Sequence, residues 1–230
     1  MSISVLVTRP PAFLFDLDGT LADTLPDLAA STNAVRARFD LPPLALATVR
    51  SYIGDGARTL LVRALAELGP DDATIDDAYA AYAEHHTAQC TGDATLFPGV
   101  QEHLERLAAD GHPIAVVTNK PERFARPLAE HLGLGAFTDV VIGGDTLPTR
   151  KPDPAMLRHA LERLDASSVD AVMVGDGLQD LRAGKALGSR TIACLFGYGD
   201  PAALRREGAD TYWQAFGRPA DPERPISGTA

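Results

Sequence analysis

Near its start the chain reads Phe13-Leu14-Phe15-Asp16-Leu17-Asp18-Gly19-Thr20, an apolar run that ends in two carboxylates. Alternate side chains of a strand share a face, so an extended backbone here would aim Asp16 and Asp18 in the same direction. Two like charges this close are costly unless a cation lies between them. The stretch predicts a strand whose carboxyl end holds a hard divalent cation, Mg²⁺ with oxygen ligands, facing an anionic substrate. On this stretch alone, a surface turn with Asx chemistry is the alternative, because Asp-Gly is common there.

Length and composition predict a globular protein with a full core. The chain has 230 residues, of which 45% are hydrophobic and 23% are charged, as is ordinary for such proteins. Its formal net charge of −10 argues against a nucleic-acid partner and makes a bound cation more useful. No run is apolar enough to span a bilayer and no secretory leader is visible, so we expect a cytoplasmic protein. The spacing of Cys90 and Cys194 indicates free thiols.

Helical periodicity follows the first strand. Apolar residues fall at helical spacing over 25–39, and Thr24 with Asp27 resembles a capping box at the start of this helix. Further helices are predicted over 57–68 and from about residue 75 to residue 90. This is far more helix than one crossover between strands needs. We therefore expect an inserted all-α subdomain over residues 23–97.

Helices and short apolar strands alternate from Pro98 onward. Buried strands are predicted at 113–117, 140–142, 171–174 and 191–194, with helices between them. Repeated βα units fold as a doubly wound parallel sheet, which defines the fold class as α/β. We expect the α/β core to comprise residues 1–22 and 98–216. The end of the chain, 217–230, is rich in Pro and polar residues and is predicted to be a loose tail.

Chemically active side chains follow the predicted strands. Thr118-Asn119-Lys120 follows one strand, Asp176 follows another with Asp180 four residues later, and Lys151 lies in Arg150-Lys151-Pro152-Asp153-Pro154. In parallel sheets ligands bind at the carboxyl ends of the strands. Carboxylates can hold a cation, a hydroxyl and an ammonium can bind phosphoryl oxygens, and a further carboxylate can attack phosphorus. The set indicates phosphoryl transfer.

Each of these residues also has an ordinary explanation when it is taken singly. Thr118 would most often be a strand-end hydroxyl bonded to the backbone. Lys151 would usually be a solvated surface lysine, and Asp180 a first-turn acid that the helix dipole favours. Only their joint occurrence, each after its own strand, favours a common site.

Four segments resemble, in order, the four motifs of the haloacid dehalogenase superfamily of phosphohydrolases. They are Asp16-Leu17-Asp18-Gly19-Thr20 with Leu21-Ala22-Asp23, Val117-Thr118-Asn119, Lys151-Pro152-Asp153-Pro154, and Gly175-Asp176 with Asp180. The similarity covers about residues 12 to 212, and the helical insert is similar to the first type of α-helical cap in that superfamily.

Three further segments are similar to the phosphoglycolate phosphatases within that superfamily. They are Thr118-Asn119-Lys120-Pro121, Gly143-Gly144-Asp145-Thr146 and Phe196-Gly197-Tyr198-Gly199. Two features depart from the pattern: Gly177 stands where these phosphatases often carry a serine, and the loop at 197–199 differs from the usual form. The resemblance thus implies the reaction more firmly than the substrate.

The resemblance implies a Mg²⁺-dependent phosphomonoester hydrolase. Asp16 would be the nucleophile that forms an aspartyl-phosphate, and Asp18 would be the general acid and base. Mg²⁺ would be held by Asp16, by the backbone carbonyl of Asp18 and by Asp176. Asp180 would act behind these ligands, through a bound water or by orienting them.

The resemblance also implies which residues bind the substrate. Thr118, Asn119 and Lys151 would hold the phosphoryl oxygens. In the insert, Tyr52-Ile53-Gly54-Asp55-Gly56-Ala57-Arg58 opens a helix with two glycines, and its free backbone N–H groups suit a carboxylate. An ordinary loop and N-cap is the alternative. By resemblance this is the specificity loop of the cap, which makes Gly54, Gly56 and Arg58 candidate substrate contacts.

Several functions stay open on the sequence. The resemblance favours 2-phosphoglycolate, but another small phosphoester such as an amino-sugar or hexose phosphate, or a phosphosugar mutase reaction, fits the same motifs. A phospho-aspartate switch also combines acids, a Thr and a Lys around Mg²⁺, although the helical insert and the order Asp16-x-Asp18 argue against it. A degenerate scaffold is disfavoured because every chemical position is filled. We expect a small phosphorylated metabolite as partner, no nucleic acid, no membrane, and a monomer or homodimer.

Overall fold

The computed structural model describes residues 10–219 and contains a seven-stranded sheet. The strands of this part of the chain are β1 (Ala12–Phe15), β2 (Ala22–Asp23), β3 (Thr95–Leu96), β4 (Ile114–Val117), β5 (Val141–Ile142), β6 (Ala171–Gly175), β7 (Arg190–Cys194), β8 (Thr211–Ala215) and β9 (Arg218–Pro219). The large sheet has the order β5-β4-β1-β6-β7-β8-β9, and all its neighbours are parallel except β8 and β9. The predicted doubly wound parallel sheet is confirmed.

The first predicted strand lies inside this sheet, between β4 and β6. Phe15 is in register with Val116 on one side and with Val174 on the other. The chain therefore leaves β1 to build β4 and β5 on one side, and returns to build β6, β7 and β8 on the other. Ligands bind at such a reversal of strand order, because the loops beyond the two neighbouring strands separate there.

Nine α-helices lie in the described part of the chain, of which the last five pack against the two faces of the sheet. They are α1 (Leu25–Arg38), α2 (Leu46–Tyr52), α3 (Ala57–Ala64), α4 (Asp72–Gln89), α5 (Val100–Ala109), α6 (Glu122–His131), α7 (Ala155–Arg163), α8 (Leu178–Leu187) and α9 (Pro201–Glu207). Alternation along β1 sends Phe15 into one apolar cluster with Leu104 and Leu128, and Leu14 into another with Met156 and Met173. Burial on both faces explains why the strands are continuously apolar. None of the described helices has the length and hydropathy that a membrane span requires.

Helices α1 to α4 form the helical insert between β2 and β3. Their apolar side chains share a cluster that includes Leu61, Leu65 and Tyr82, and Phe124 from α6 joins it from the core. The two connecting segments, β2 and β3, pair antiparallel, with Ala22 opposite Leu96. A short two-stranded ladder and a shared apolar contact are thus among the contacts that attach the insert to the core.

The structure departs from the sequence-based prediction at a few elements. Helices α2 and α9 and strand β8 had no predicted counterpart, because each is short and carries little periodic signal. The predicted loose tail begins too early, since Arg218–Pro219 pairs with β8; the remainder, 220–230, lies outside the described residues. Cys90 and Cys194 are buried free thiols, as predicted.

Candidate active site

The predicted site residues meet where β1, β4 and β6 end. Asp16 follows β1, the segment 118–120 follows β4, and Asp176 follows β6. Parallel neighbours end at the same edge of the sheet, so residues far apart in the chain become adjacent. A cavity of about 340 Å³ opens at this edge, and helices α1, α3 and α4 of the insert supply its other wall through Leu28, Leu60 and Tyr82.

Three buried carboxylates lie together at the bottom of this edge. Oxygen atoms of Asp16, Asp176 and Asp180 all fall within 4.8 Å of one another. Burial, and then the negative charge of Asp180, raise the pKa of Asp16 well above its usual range. Burial and Asp180 raise the pKa of Asp176 in the same way. Without a positive charge nearby, three buried carboxylates are costly to ionise. Their oxygen atoms suit a hard divalent cation, whose charge would favour the ionised carboxylates.

Lys151 supplies a fixed positive charge behind the carboxylates. Its fully buried Nζ lies 3.0 Å from Asp16 Oδ1 and 2.6 Å from Asp180 Oδ1, and it donates to the Val117 carbonyl at 2.6 Å. Burial lowers the pKa of Lys151, but the charges of Asp16 and Asp180 outweigh burial, so the net shift is upward. The ordinary reading of Lys151 as a solvated surface lysine is therefore wrong. The ammonium stays charged next to Asp16.

Asn119 fixes the loop that carries Lys151. Its Oδ1 accepts from the Lys151 backbone N–H at 3.0 Å, and its Nδ2 donates to the Lys151 carbonyl at 3.0 Å. The neighbouring Thr118 lines the cavity, and its hydroxyl accepts from the Lys120 N–H at 3.2 Å. Asn119 thus contacts the backbone of another motif, a positioning contact that its place in the sequence does not reveal.

Asp18 points away from the acidic cluster and toward the insert. Its Oδ1 accepts from the Thr24 hydroxyl at 2.7 Å and lies 3.1 Å from Lys120 Nζ. The predicted capping box at the start of α1 is therefore wrong: the Thr24 hydroxyl is used by Asp18, and Asp27 Oδ1 instead accepts from the Asp93 N–H at 3.1 Å. The Asp18 side chain is no member of the carboxylate cluster, so its predicted metal contact stays with its backbone carbonyl.

Two residues for which the sequence predicted no contact hold Asp176. The Thr20 hydroxyl donates to Asp176 Oδ1 at 2.8 Å, and the Tyr198 N–H donates to Asp176 Oδ2 at 2.7 Å. Gly19 allows the loop after β1 to pass this closely, since its φ is +85° and a Cβ there would overlap the Asp176 carboxylate. The sequence offers one signal for these contacts: Thr20 and Tyr198 both lie in segments that resemble the motifs of the family.

Tyr198 also connects the loop after β7 to the start of the insert. Its hydroxyl donates to Asp23 Oδ1 at 2.8 Å and accepts from the N–H groups of Thr24 and Leu25 at 2.7 and 2.9 Å. Burial raises the pKa of Tyr198 far above its usual value, so the phenol stays protonated and can donate. One side chain thereby links the loop that binds Asp176 to the connection between core and insert.

The segment 53–56 between α2 and α3, named here the glycine loop, lines the cavity, whereas Arg58 in the first turn of α3 does not. Gly54 and Gly56 line the cavity, and the Gly54 carbonyl accepts from Asn119 Nδ2 at 3.0 Å. Arg58 is exposed and pairs with Asp76 of α4 at 2.6 Å. The predicted substrate contact of Arg58 has no support in this geometry, because the first turn of α3 directs that side chain outward.

A family model matches most of the chain. The family model described as haloacid dehalogenase-like hydrolase matches residues 13–194. The chain belongs to this family of hydrolases. The matched span of this haloacid dehalogenase-like hydrolase begins within β1 and ends with β7, so it includes all four motif segments.

Curated relatives of this haloacid dehalogenase-like hydrolase share a name. A phosphoglycolate phosphatase of Pseudomonas putida is 38% identical over 227 residues, covering 95% of this chain and 75% of that protein. Phosphoglycolate phosphatase 1 of Pseudomonas aeruginosa is 42% identical over 201 residues, covering 86% of this chain and 74% of that protein.

Solved structures show the same fold. A crystal structure described as a predicted phosphoglycolate phosphatase from Haemophilus somnus 129PT superposes with a TM-score of 0.84 at 28% identity, covering 91% of this chain and 96% of that one. CbbY from Rhodobacter sphaeroides, in complex with phosphate, superposes with a TM-score of 0.77 at 27% identity, covering 90% and 95%. The fold and the family that the sequence predicted are confirmed.

Proposed function

We propose that this hydrolase is a Mg²⁺-dependent phosphatase that cleaves 2-phosphoglycolate through an aspartyl-phosphate on Asp16. The observation that carries the proposal is the buried Lys151 held between Asp16 and Asp180, with Asp176 beside them. A positive charge fixed behind a carboxylate would offset the repulsion between that carboxylate and a phosphate dianion. The names of the relatives supply the substrate.

In the proposed first step, an Asp16 carboxylate oxygen attacks phosphorus in line while the ester P–O bond breaks. Asp18 gives its proton to the leaving alkoxide, and the electron pair of the broken bond leaves with that oxygen. The Thr118 hydroxyl and the backbone N–H of Asn119 would hold phosphoryl oxygens during the transfer. The Asn119 side chain is taken up by the backbone of Lys151 and Gly54, and Lys151 Nζ contacts Asp16, Asp180 and the Val117 carbonyl, so Lys151 would act on the phosphoryl group through its charge. The contact between Thr24 and Asp18 supports this assignment, because it orients Asp18 toward the cavity side of the loop.

In the proposed second step, Asp18 takes a proton from a water molecule, and the resulting hydroxide attacks the phosphorus of the aspartyl-phosphate. Inorganic phosphate leaves and the Asp16 carboxylate is regenerated. Asp16, Asp176 and the Asp18 carbonyl would hold Mg²⁺, with Asp180 orienting Lys151 beside them. When bound, the cation supplies charge neutralisation for the phosphoryl group in both steps.

We propose that residues 23–97 form the cap and that 1–22 with 98–216 form the catalytic core; of these, 1–9 lie outside the described residues. The cap would close over the cavity, exclude water and present Gly54 and Gly56 to the substrate. The short β2–β3 ladder, where both connections pass, supports a hinge at that point. The cytoplasmic location and the oligomeric state, monomer or homodimer, stay predictions.

The test of this proposal is phosphate release from a panel of small phosphoesters with and without Mg²⁺. We expect the highest kcat/KM for 2-phosphoglycolate, lower values for amino-sugar and hexose phosphates, loss of activity after chelation and recovery when Mg²⁺ returns. Full activity after exhaustive chelation would contradict the metal requirement. A stable acyl phosphate after exposure to acetyl phosphate, without turnover, would favour the phospho-aspartate switch instead.

A separate readout tests the metal ligands without turnover. Because a ligand that binds only the folded protein stabilises it, Mg²⁺ should raise the melting temperature of the wild type. Mg²⁺ should raise the melting temperature of Asp176→Asn much less. It should raise the melting temperature of the control Asp139→Asn, which changes an exposed carboxylate, as much as that of the wild type. Equal shifts in all three proteins would exclude Asp176 as a ligand.

A further inference from the structure

The buried ammonium of Lys120 lies on the side of the cavity where the leaving group would sit. Its side chain is 3% exposed, and its Nζ lies 3.1 Å from Asp18 Oδ1 and 3.4 Å from Asp18 Oδ2. Both contacts go to one carboxylate, whereas an ammonium can donate three hydrogen bonds. Lys120 therefore retains a donor for a second anion beside Asp18.

The other charges around the cavity single out Lys120. Among the described residues that line the cavity, Lys120 and Arg182 are the cations, against five aspartates: Asp16, Asp18, Asp55, Asp176 and Asp200. Arg182 is half-exposed and pairs with Glu207 of α9 at 2.9 Å. Lys151 is engaged by Asp16 and Asp180 behind the cavity. Lys120 is thus the buried cation that faces the cavity from the side of the general acid.

Apolar side chains share the lining of the cavity with Lys120. Leu28, Leu60 and Tyr82 from the insert, with Phe124 from α6, line the same cavity as Lys120. Charges interact more strongly in a water-poor environment of this kind than in bulk solvent. An anion that reaches Lys120 would be held firmly, and a neutral group in its place would gain no comparable contact.

We propose that Lys120 selects substrates whose ester carbon carries a carboxylate, that is, phosphate esters of small 2-hydroxy acids. This inference rests on the proposed function, because Asp18 must approach the ester oxygen to protonate it. In such an ester only one carbon separates that oxygen from the carboxylate carbon. A carboxylate at this position therefore comes within reach of the ammonium that already contacts Asp18. Lys120, rather than Arg58, is the specificity-determining cation.

The test compares two substrates that differ in this one group, 2-phosphoglycolate and ethyl phosphate, on wild type and on Lys120→Met with Mg²⁺ present. Methionine keeps an unbranched apolar side chain of nearly the same length as lysine but removes the charge. We expect Lys120→Met to lower kcat/KM for 2-phosphoglycolate about 10²-fold more than kcat/KM for ethyl phosphate, the cost of one buried charge-assisted contact, because any change in the position of Asp18 affects both substrates alike. The preference of the wild type for 2-phosphoglycolate over ethyl phosphate would then be lost.

Two further variants complete the design. Arg182→Met removes the other cation of the cavity and should leave the ratio between the two substrates unchanged. Lys120→Arg keeps the charge and should retain most of the preference, which keeps the proposal testable if Lys120→Met fails to fold. A folded Lys120→Arg enzyme that has lost the preference for 2-phosphoglycolate over ethyl phosphate would contradict a role based on charge.

The outcomes separate this inference from the proposed function. If the wild type hydrolyses neither ester, both proposals fall. If it hydrolyses both esters without preference, the phosphatase stands and the Lys120 proposal falls. If Lys120→Met lowers kcat/KM for both esters by the same factor, Lys120 serves only to position Asp18, and the proposal is again overturned.

Discussion

The edge of the sheet and the glycine loop of the insert meet at one cavity but are held in different ways. At the sheet edge, Asp176 accepts from Thr20 and from the Tyr198 N–H, and Lys151 is enclosed by two carboxylates and a carbonyl. The glycine loop contacts the sheet edge through the hydrogen bond from Asn119 to the Gly54 carbonyl. Where many partners fix a side chain, a sequence motif predicts where that side chain lies in the site. Where few partners fix it, the motif predicts only that the segment lies near the cavity, and the direction of each side chain stays open.

The largest effect should come from the nucleophile. Asp16→Asn replaces the attacking carboxylate with a non-nucleophilic amide and should reduce turnover by about 10³-fold or more, measured as phosphate release. The fold should persist, because the change removes a buried negative charge that repels Asp176 and Asp180. The exposed Asp139→Asn is the matched control and should retain full activity. Turnover in Asp16→Asn close to that of the control would exclude Asp16 as the nucleophile.

The next largest effect should come from the buried ammonium of Lys151, and it should be a loss of stability. Lys151→Met leaves Asp16 and Asp180 buried without a positive partner, so we expect the free energy of unfolding to fall by about 3–5 kcal/mol in metal-free buffer. Added Mg²⁺ should restore part of this loss, since it brings another positive charge to the same carboxylates.

The control for that prediction is Lys185→Met, which breaks an exposed pair with Glu207. Its free energy of unfolding should change by less than about 1 kcal/mol. Chemical denaturation with a fluorescence readout gives both values. Equal stability of the two variants would show that the buried network contributes nothing to the sheet edge.

A smaller effect should come from the link between the two regions. Tyr198→Phe removes the hydroxyl that binds Asp23, Thr24 and Leu25, and Thr24 in turn orients Asp18. We expect kcat to fall about tenfold, the equivalent of one lost hydrogen bond in the transition state, with a smaller change in KM. Tyr212→Phe is the control. The Tyr212 hydroxyl accepts a hydrogen bond of 2.9 Å from the Ala209 N–H, and Tyr212 does not line the cavity. Identical kcat values for the two variants would remove Tyr198 from the positioning of Asp18.

The smallest effect should come from the outer surface of the insert. Arg58→Ala breaks an exposed ion pair, so we expect kcat/KM to change by less than about twofold and stability by less than about 1 kcal/mol. Arg38→Ala breaks a similar exposed pair with Asp77 and serves as the control. A tenfold loss of kcat/KM confined to Arg58→Ala would show that the insert closes further during turnover and brings Arg58 to the substrate.

Much of the core could be predicted because its signals are local. Continuous apolar strands and periodic helices give the α/β class, and Phe13-Leu14-Phe15 gives a strand buried on both faces. The residues after each strand could be grouped because parallel strands end together. Short elements such as α2 and β8 could not be predicted, since a few residues carry no period.

The sequence alone determined the βα alternation, the helical insert and the identity of the chemical groups, because backbone periodicity and residue type are properties of short segments. Only the tertiary structure decided which partner each group takes. Thr24 binds Asp18 rather than capping α1, Arg58 faces outward, and Lys120 pairs with Asp18 beside the cavity. Those choices depend on where the insert lies against the sheet, and that position arises from packing between segments that are distant in the chain.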